Sequence, residues 1–287
     1  MVAAGAERPL RIIREPRVRL VGRQVVDAAA VADFLAEHEL TWTTDTEVGA
    51  EVLAEMAGRL CYLSYGRGRK TNREFIGHLV EVGHGSVLEH CVWSFVITGV
   101  SRSLTHELVR HRAGWAYSQL SQRYVDESAS PYVEPAAIAE DPALHAVWVE
   151  AVNGARAAYD RLVEGLERRY AAEPDATLRR KLARQAARSV LPNATETRIF
   201  VTANARALRH FIEMRGSAAA DVEIRAVALQ ILRLMRREAP SLFADYELEP
   251  LPGGGVVRRE GVSRAGAPPG RGGVADGGHG PRGAPRR

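Results

Sequence analysis

The chain has 287 residues but only two cysteines, Cys61 and Cys91. They form no metal or redox spacing motif, so a disulfide framework is not indicated and a reducing cytoplasm fits. Both sit among apolar neighbours, where a thiol behaves as an inert small hydrophobe, so neither is a good nucleophile. No apolar run approaches the roughly 18 to 20 residues that a transmembrane helix needs. The opening M-V-A-A-G-A-E-R-P-L-R has no apolar core of a secretory signal. Neither G-x-G-x-x-G nor a P-loop occurs, so any nucleotide has to be gripped by side chains, arginines above all. His84, Glu89, His90, His106 and His111 are numerous, yet no pair follows a ligand signature such as H-E-x-x-H, and no metal is expected. Aromatic residues make up 6% of the chain, which argues against a stacking platform for nucleic acid.

Basic charge is scarce in the body of the chain. The formal net charge is +4, but from Pro252 onward there are seven arginines against one glutamate and one aspartate. Subtracting that +5 leaves about −1 for the rest, so no specific nucleic-acid partner is expected. The same tail is rich in Gly, Pro and Arg without periodicity, and too little apolar surface is available to offset its ordering entropy. Residues 252–287 are therefore expected to be disordered, with weak affinity for polyanions as a second, binding-only reading. Residues 1–15 read as a flexible arm, leaving one domain over 16–251.

Within that domain, hydrophobic content of 46% supports a sizeable core. Alternation over Arg17–Val25 reads as a half-buried strand, and the apolar, β-branched run 91–99 as a buried one. Helices are expected over 28–38, from the capping run T-W-T-T-D-T (41–46) to Leu63, over 72–82, from Ser101 or Ser103 through His111, and over 143–170, 178–191, 203–215 and 222–237. Residues 193–202 turn and then extend. On the helix over 143–170, Leu144, Trp148, Ala151, Ala155, Tyr159, Leu162 and Leu166 share one face. On the 203–215 helix, Asn204, Leu208, Phe211 and Arg215 share one face, which should project inward or toward a cleft. The glycine-punctuated Tyr65–Lys70 reads as a mobile surface loop.

What stands out is S-R-S-L-T-H-E-L-V-R-H-R-A-G-W-A-Y-S-Q-L-S-Q-R-Y, residues 101–124. Arg110, His111 and Arg112 are consecutive, and Ser118, Gln119, Ser121, Gln122 and Arg123 follow within one polar loop. Such a set suits an anionic ligand with a hydrogen-bonding ring: arginine presents a planar fork to phosphate or carboxylate, and Gln and Ser read imide-like edges. The same cations also suit a helix C-terminus, where they complement the dipole. A second unusual stretch, V-G-H-G-S-V-L-E-H (82–90), brackets His84 with glycines.

R-H-R followed by S-Q-L-S-Q-R-Y resembles the signature of flavin-dependent thymidylate synthases, here in its longer form with eight residues between Arg112 and Ser121. V-G-H-G-S-V-L-E-H, S-R-S-L-T-H-E-L-V-R-H-R, R-K-L-A-R-Q-A-A-R-S-V-L-P-N-A-T-E-T-R and the M-R-G-S stretch ending A-D-V-E-I-R look like family blocks in the family's order. The resemblance covers roughly residues 40–250. It implies an α/β (α+β) subunit with a central antiparallel sheet flanked by helices, assembled as a homotetramer with shared active sites. It also implies FAD as cofactor, dUMP as substrate, and methylenetetrahydrofolate and NADPH as co-substrates. Residue by residue, it places Ser86, Arg110, His111, Arg112, Gln119, Asn204, Ala205, Arg206 and His210 against the flavin. It places Glu107, Leu108, Val109, Arg110, Gln119, Leu120, Ser121, Gln122, Arg123, Arg188 and Arg215 against the nucleotide. Arg188 and Arg215 are expected to reach the site from neighbouring subunits. Arg215 takes the position credited with stabilising uracil ionised at N3, a route that needs no cysteine, and Ser121 positions substrate rather than attacking it. Where the family often has a histidine near the flavin, this chain has Ala219.

Overall fold

The computed structural model describes residues 9–65, 68–251 and 254–259. In chain order come β1 (Ile12–Ile13), β2 (Arg17–Arg23), α1 (Ala28–Glu37), α2 (Gly49–Tyr62), α3 (Asn72–Glu81), a 3₁₀ turn (Gly85–His90), β3 (Val92–Ser101), α4 (Arg102–Leu108) and β4 (Trp115–Gln119). The second half runs β5 (Tyr132–Val133), α5 (Ala136–Ala139), α6 (Pro142–Arg169), α7 (Ala176–Ala187) with a 3₁₀ turn (Arg188–Val190), and β6 (Glu196–Asn204). It closes with α8 (Ala205–Arg215), α9 (Val222–Glu238), a 3₁₀ turn (Pro240–Phe243), β7 (Tyr246–Leu251) and β8 (Gly254–Arg259).

The largest sheet has the order β2-β3-β6-β4, and every pairing in it is antiparallel. Alternation dictates its inner face: Trp93, Phe95 and Ile97 of β3 and Ile199, Val201 and Ala203 of β6 are fully buried. They form one core with Leu208, Phe211 and Ile212 of α8 and Ile224, Val227, Ala228, Ile231, Leu232 and Met235 of α9. Each large side chain so buried contributes roughly 1.5–3 kcal/mol, which fixes α8 and α9 on the sheet.

Several elements depart from the reading of the sequence, each for a local reason. W-A-Y-S-Q, taken there as part of a polar loop, is the edge strand β4. Trp115, Tyr117 and Gln119 turn inward while Ala116 and Ser118 are exposed, and Trp115 pairs with Ala203 and Gln119 with Ile199. T-W-T-T-D-T does not cap α2, whose N-cap Val48 makes no side-chain cap bond. It satisfies buried carboxylates instead: Trp42 Nε1 and Thr44 Oγ1 donate to Glu55, at 3.1 and 2.8 Å, and Thr46 Oγ1 donates to Glu51 at 3.0 Å. α6 is half covered rather than one buried stripe; Tyr159 is buried but Leu144 is 51% exposed.

Both expected domain ends also move. Within the arm set at residues 1–15, Ile12 and Ile13 pair in parallel with Tyr132 and Val133, and Arg14 bridges to buried Glu134. Within the tail set at 252–287, residues 254–259 form β8, paired with β7 from Tyr246↔Arg259 to Leu251↔Gly254. Its V-V pair supplied enough apolar surface, since Val256 is buried. The remaining arm residues 1–8 and tail residues 260–287 lie outside the described residues, as do residues 66–67 of the loop Tyr65–Lys70 and residues 252–253. No helix among the described residues is long and apolar enough to cross a membrane.

Candidate active site

The site is built around the short helix α4. Ser101 starts it, its Oγ accepting from Leu104 N–H at 3.0 Å and donating to Glu223 at 2.6 Å. Leu104 and Leu108 anchor the helix in the core. The helix then stops, so His111 lies past its end instead of continuing its face as the spacing suggested. Gly114 closes the Arg-His-Arg turn at φ +73°, a left-handed value that disfavours side chains. A Cβ there would stand 2.6 Å from Asn204 Nδ2, so glycine also permits the turn to press on the start of α8. Tyr117 locks the turn from beneath, its hydroxyl facing the carbonyls of Leu108 and His111. Trp115 stacks on Tyr117, ring planes 4° apart.

α8 enters from the end of β6. Asn204 is its N-cap, accepting from Ala207 N–H at 2.8 Å, rather than a residue of its inward face. Its C-terminal Arg215 meets α4: Nη1 donates to Glu107 Oε2 at 2.7 Å and Nε donates to His111 Nε2 at 3.1 Å. Both contacts lie within one chain, because α8 packs on the core and ends beside α4. Burial, reinforced by the Arg215 and His210 charges, pushes the His111 pKa down to about 4. The ring is neutral at pH 7, with Nε2 as acceptor and the proton on Nδ1. His210 and Phe211 of α8 sit 5.9 and 5.2 Å from the His111 ring.

Arg188 likewise lies close enough to the first residue of α4, Arg102, to depress that guanidinium's pKa, a contribution secondary to burial and opposed by Glu127. Arg102 Nη1 also lies 3.5 Å from Leu120 O, so it borders the S-Q-L-S-Q-R loop, a placement the sequence reading missed. In that loop Gln119 Nε2 is pinned to Thr105 and Thr197 hydroxyls at 3.2 and 3.3 Å. Ser121 Oγ accepts from Arg123 N–H at 3.3 Å, shaping the turn. Gln122 Nε2 and Arg123 Nε are buried without a hydrogen-bond partner among the described residues. Buried donors of this kind are uncommon, since an unpaired one costs free energy.

The other predicted residues separate by their surroundings. Arg110 and Arg112 are exposed on the turn, next to exposed Val109. Leu108 is core, and Ala205 is buried with its N–H donated to Cys91 O at 2.8 Å, so neither offers a free polar group. Arg206 and His210 line a recess of about 180 Å³ together with Gly83, Gly85, Arg209, Glu213 and Arg259, while Ser86 is exposed outside that lining. There a Cβ on Gly85 would meet Arg206 Nε at 3.2 Å, and Arg206 is paired with Glu89. His84 stacks on Tyr62 at 5.9 Å. A larger cavity of about 490 Å³, beside Arg23, Gly49 and Trp93, contains none of the predicted site residues. Among the described residues no three His, Cys, Asp or Glu side chains are grouped to hold a metal. Cys91 is buried and its thiol pushed up to about 12 by burial, with Glu51 adding to it.

The family described as "Thymidylate synthase complementing protein" matches residues 43–241. The chain belongs to the flavin-dependent thymidylate synthase family. It is an enzyme of that kind, 52% identical over 235 residues to the flavin-dependent thymidylate synthases of Mycobacterium tuberculosis (strain ATCC 25618 / H37Rv) and Mycobacterium avium (strain 104). The flavin-dependent thymidylate synthase of Mycobacterium marinum (strain ATCC BAA-535 / M) is 51% identical over the same length. In each case 81% of this chain matches 93% of the relative. Tyr117 and Trp115 brace the candidate turn, and the alternation in W-A-Y-S-Q was the signal that would have found them.

Proposed function

We propose that the chain converts dUMP to dTMP by reductive methylation, with methylenetetrahydrofolate as carbon donor, NADPH as reductant and FAD as the flavin. The observation that carries this reading is the half-buried Arg215, held by Glu107 and by neutral His111. A guanidinium does not lose its proton, so negative charge on a neighbouring ring is favoured. Placed against uracil, Arg215 favours the form ionised at N3, which raises electron density at C5 for attack on a methylene carbon. No cysteine addition is then required, in keeping with a Cys91 thiol held protonated by burial.

Arg188 and Arg123, with Arg102 beside them, supply positive charge for the nucleotide phosphate. Gln122 and Arg123 hold buried donors available to the nucleotide. Ser121 positions the substrate. The residues fit a flavin dinucleotide: Arg110, Arg112 and Arg206 suit its phosphates, and glycine at 85 lets the Arg206 side chain lie close against the backbone of the recess. Ser86, Asn204 and His210 would border it. When bound, the flavin supplies the hydride that no side chain can.

The recess of about 180 Å³ at Gly85, Arg206 and His210 is small beside the roughly 300–1,000 Å³ of ordinary ligand sites. That supports a homotetramer in which neighbouring subunits complete the pocket. The exposed apolar side chains Leu60, Tyr62, Leu63, Leu144 and Val147 are in keeping with such contacts. The enzyme is assigned to the cytoplasm.

The test is an absorption spectrum after incubation with FAD, followed by dTMP formation from dUMP. A yellow protein with dUMP-dependent NADPH oxidation is expected. Protein that stays colourless, or oxidises NADPH without making dTMP, would remove the reading.

A further inference from the structure

The β7–β8 hairpin stands apart from the main sheet, and β8 lies against the end of α8 that carries Arg215. Val257 donates its backbone N–H to Gly216 O at 2.8 Å. Its side chain approaches so closely that a Cβ at Gly216 would sit 2.4 Å from Val257 Cγ2, a separation real atoms do not tolerate. Two residues on, Arg259 donates from Nη1 to Glu213 Oε1 at 3.2 Å and from Nε to Asp245 Oδ2 at 2.8 Å. Residues 213 and 216, which flank Arg215, are therefore both tied to β8. Last helical turns ordinarily fray, because their carbonyls lack intrahelical partners. Here the last turn of α8 is held by β8 in addition to the Arg215 contacts with Glu107 and His111.

We propose that β8 is a positioning strand for Arg215, with Val257 and Arg259 as its two fixing points. The proposal rests on the reading of Arg215 as the uracil-facing residue. Its physical content is that the Glu107 contact holds only the tip of a long, many-rotamer side chain. The backbone from which that side chain starts is held by β8. A displacement near 1 Å at such a point costs up to about a hundredfold in rate.

The experiment uses the full-length, FAD-loaded enzyme carrying Val257→Gly; Arg259 is left in place because it lines the recess beside Arg206 and His210. Flavin stoichiometry and its visible spectrum should stay as in the wild type, while KM and the directly titrated Kd for dUMP rise roughly tenfold. The conservative Val257→Ile should keep most of that affinity. A folded Val257→Gly variant with unchanged dUMP affinity would overturn the proposal, and so would a parallel loss of flavin and dUMP, which marks a purely structural strand. Should that variant be insoluble, Val257→Ala reads the same split on a smaller scale, about threefold. Wild-type protein that binds dUMP but forms no dTMP sinks the activity reading separately, while the titration still decides the role of β8.

Discussion

Arg209 and Arg215 lie six positions apart on α8, and they are used in opposite ways. Arg209 is 5% exposed, and its guanidinium is engaged inside the chain. Nη1 reaches Leu242 O and Asp245 Oδ1 at 2.6 and 2.8 Å, Nη2 reaches Asp245 Oδ2 at 2.6 Å, and the group stacks 4.6 Å over the Tyr246 ring. Arg215 keeps 23% of its side chain exposed and binds Glu107 through Nη1 and His111 through Nε. Its Nη2 makes no hydrogen bond among the described residues. The difference teaches that donor satisfaction, rather than charge or residue type, separates a cation that holds the fold from one available to a ligand.

Substitutions should divide along the same line. Arg215→Ala is expected to lower kcat/KM for dUMP on the order of a hundredfold or more, since on the proposed reading it removes the charge that favours the ionised ring. Flavin content and melting temperature should stay close to wild type. Arg209→Ala should do the reverse. It strands the buried end of Asp245 and costs roughly 2–4 kcal/mol in chemical denaturation, while turnover per folded, flavin-bearing molecule is kept. If both variants lost stability equally with no selective loss of turnover, the comparison would break.

Acid separates the two clusters next. His111 is held down to about 4, against 6.5 for an ordinary imidazole. As pH falls below about 6.5, the unfolded chain takes up a proton that the folded chain refuses, so stability declines until about pH 4. Burial raises the Asp245 carboxyl, but hydrogen bonds and charge from Arg209 and Arg259 outweigh it and hold the group below its ordinary 3.8. Its contribution is therefore complete above that value and is lost as pH falls further. Denaturant midpoints between pH 6.5 and 4 should be flatter in His111→Gln than in the wild type; an identical slope would contradict the assignment. The smallest effect is expected from Cys61→Ser with Cys91→Ala. Turnover should stay within about twofold, with a stability loss of about 1 kcal/mol from the vacated volume at Cys91.

Much of this was legible in the chain. The period-two pattern of β3 and the Leu208–Phe211 face of α8 announced the core, and the R-H-R and S-Q-L-S-Q-R runs pointed to the candidate site. The rest depended on partners distant in sequence. Nothing local says that Thr44 and Trp42 serve Glu55, or that Arg215 would meet Glu107 within one subunit. β8 was missed because glycine and proline around it suggest disorder, whereas Val256 and Val257 gain order only by packing beside α8 and α9. β4 was missed for a different reason: its polar outer residues masked an alternation set by Trp115, Tyr117 and Gln119.

The most direct test of the account is the protonation of uracil N3 in enzyme-bound dUMP, read by ¹⁵N NMR with N3-labelled nucleotide. The account predicts an N3 without its proton in the wild-type complex at neutral pH, and a protonated N3 in the Arg215→Ala complex. A bound uracil that keeps its N3–H in the presence of Arg215 would contradict it.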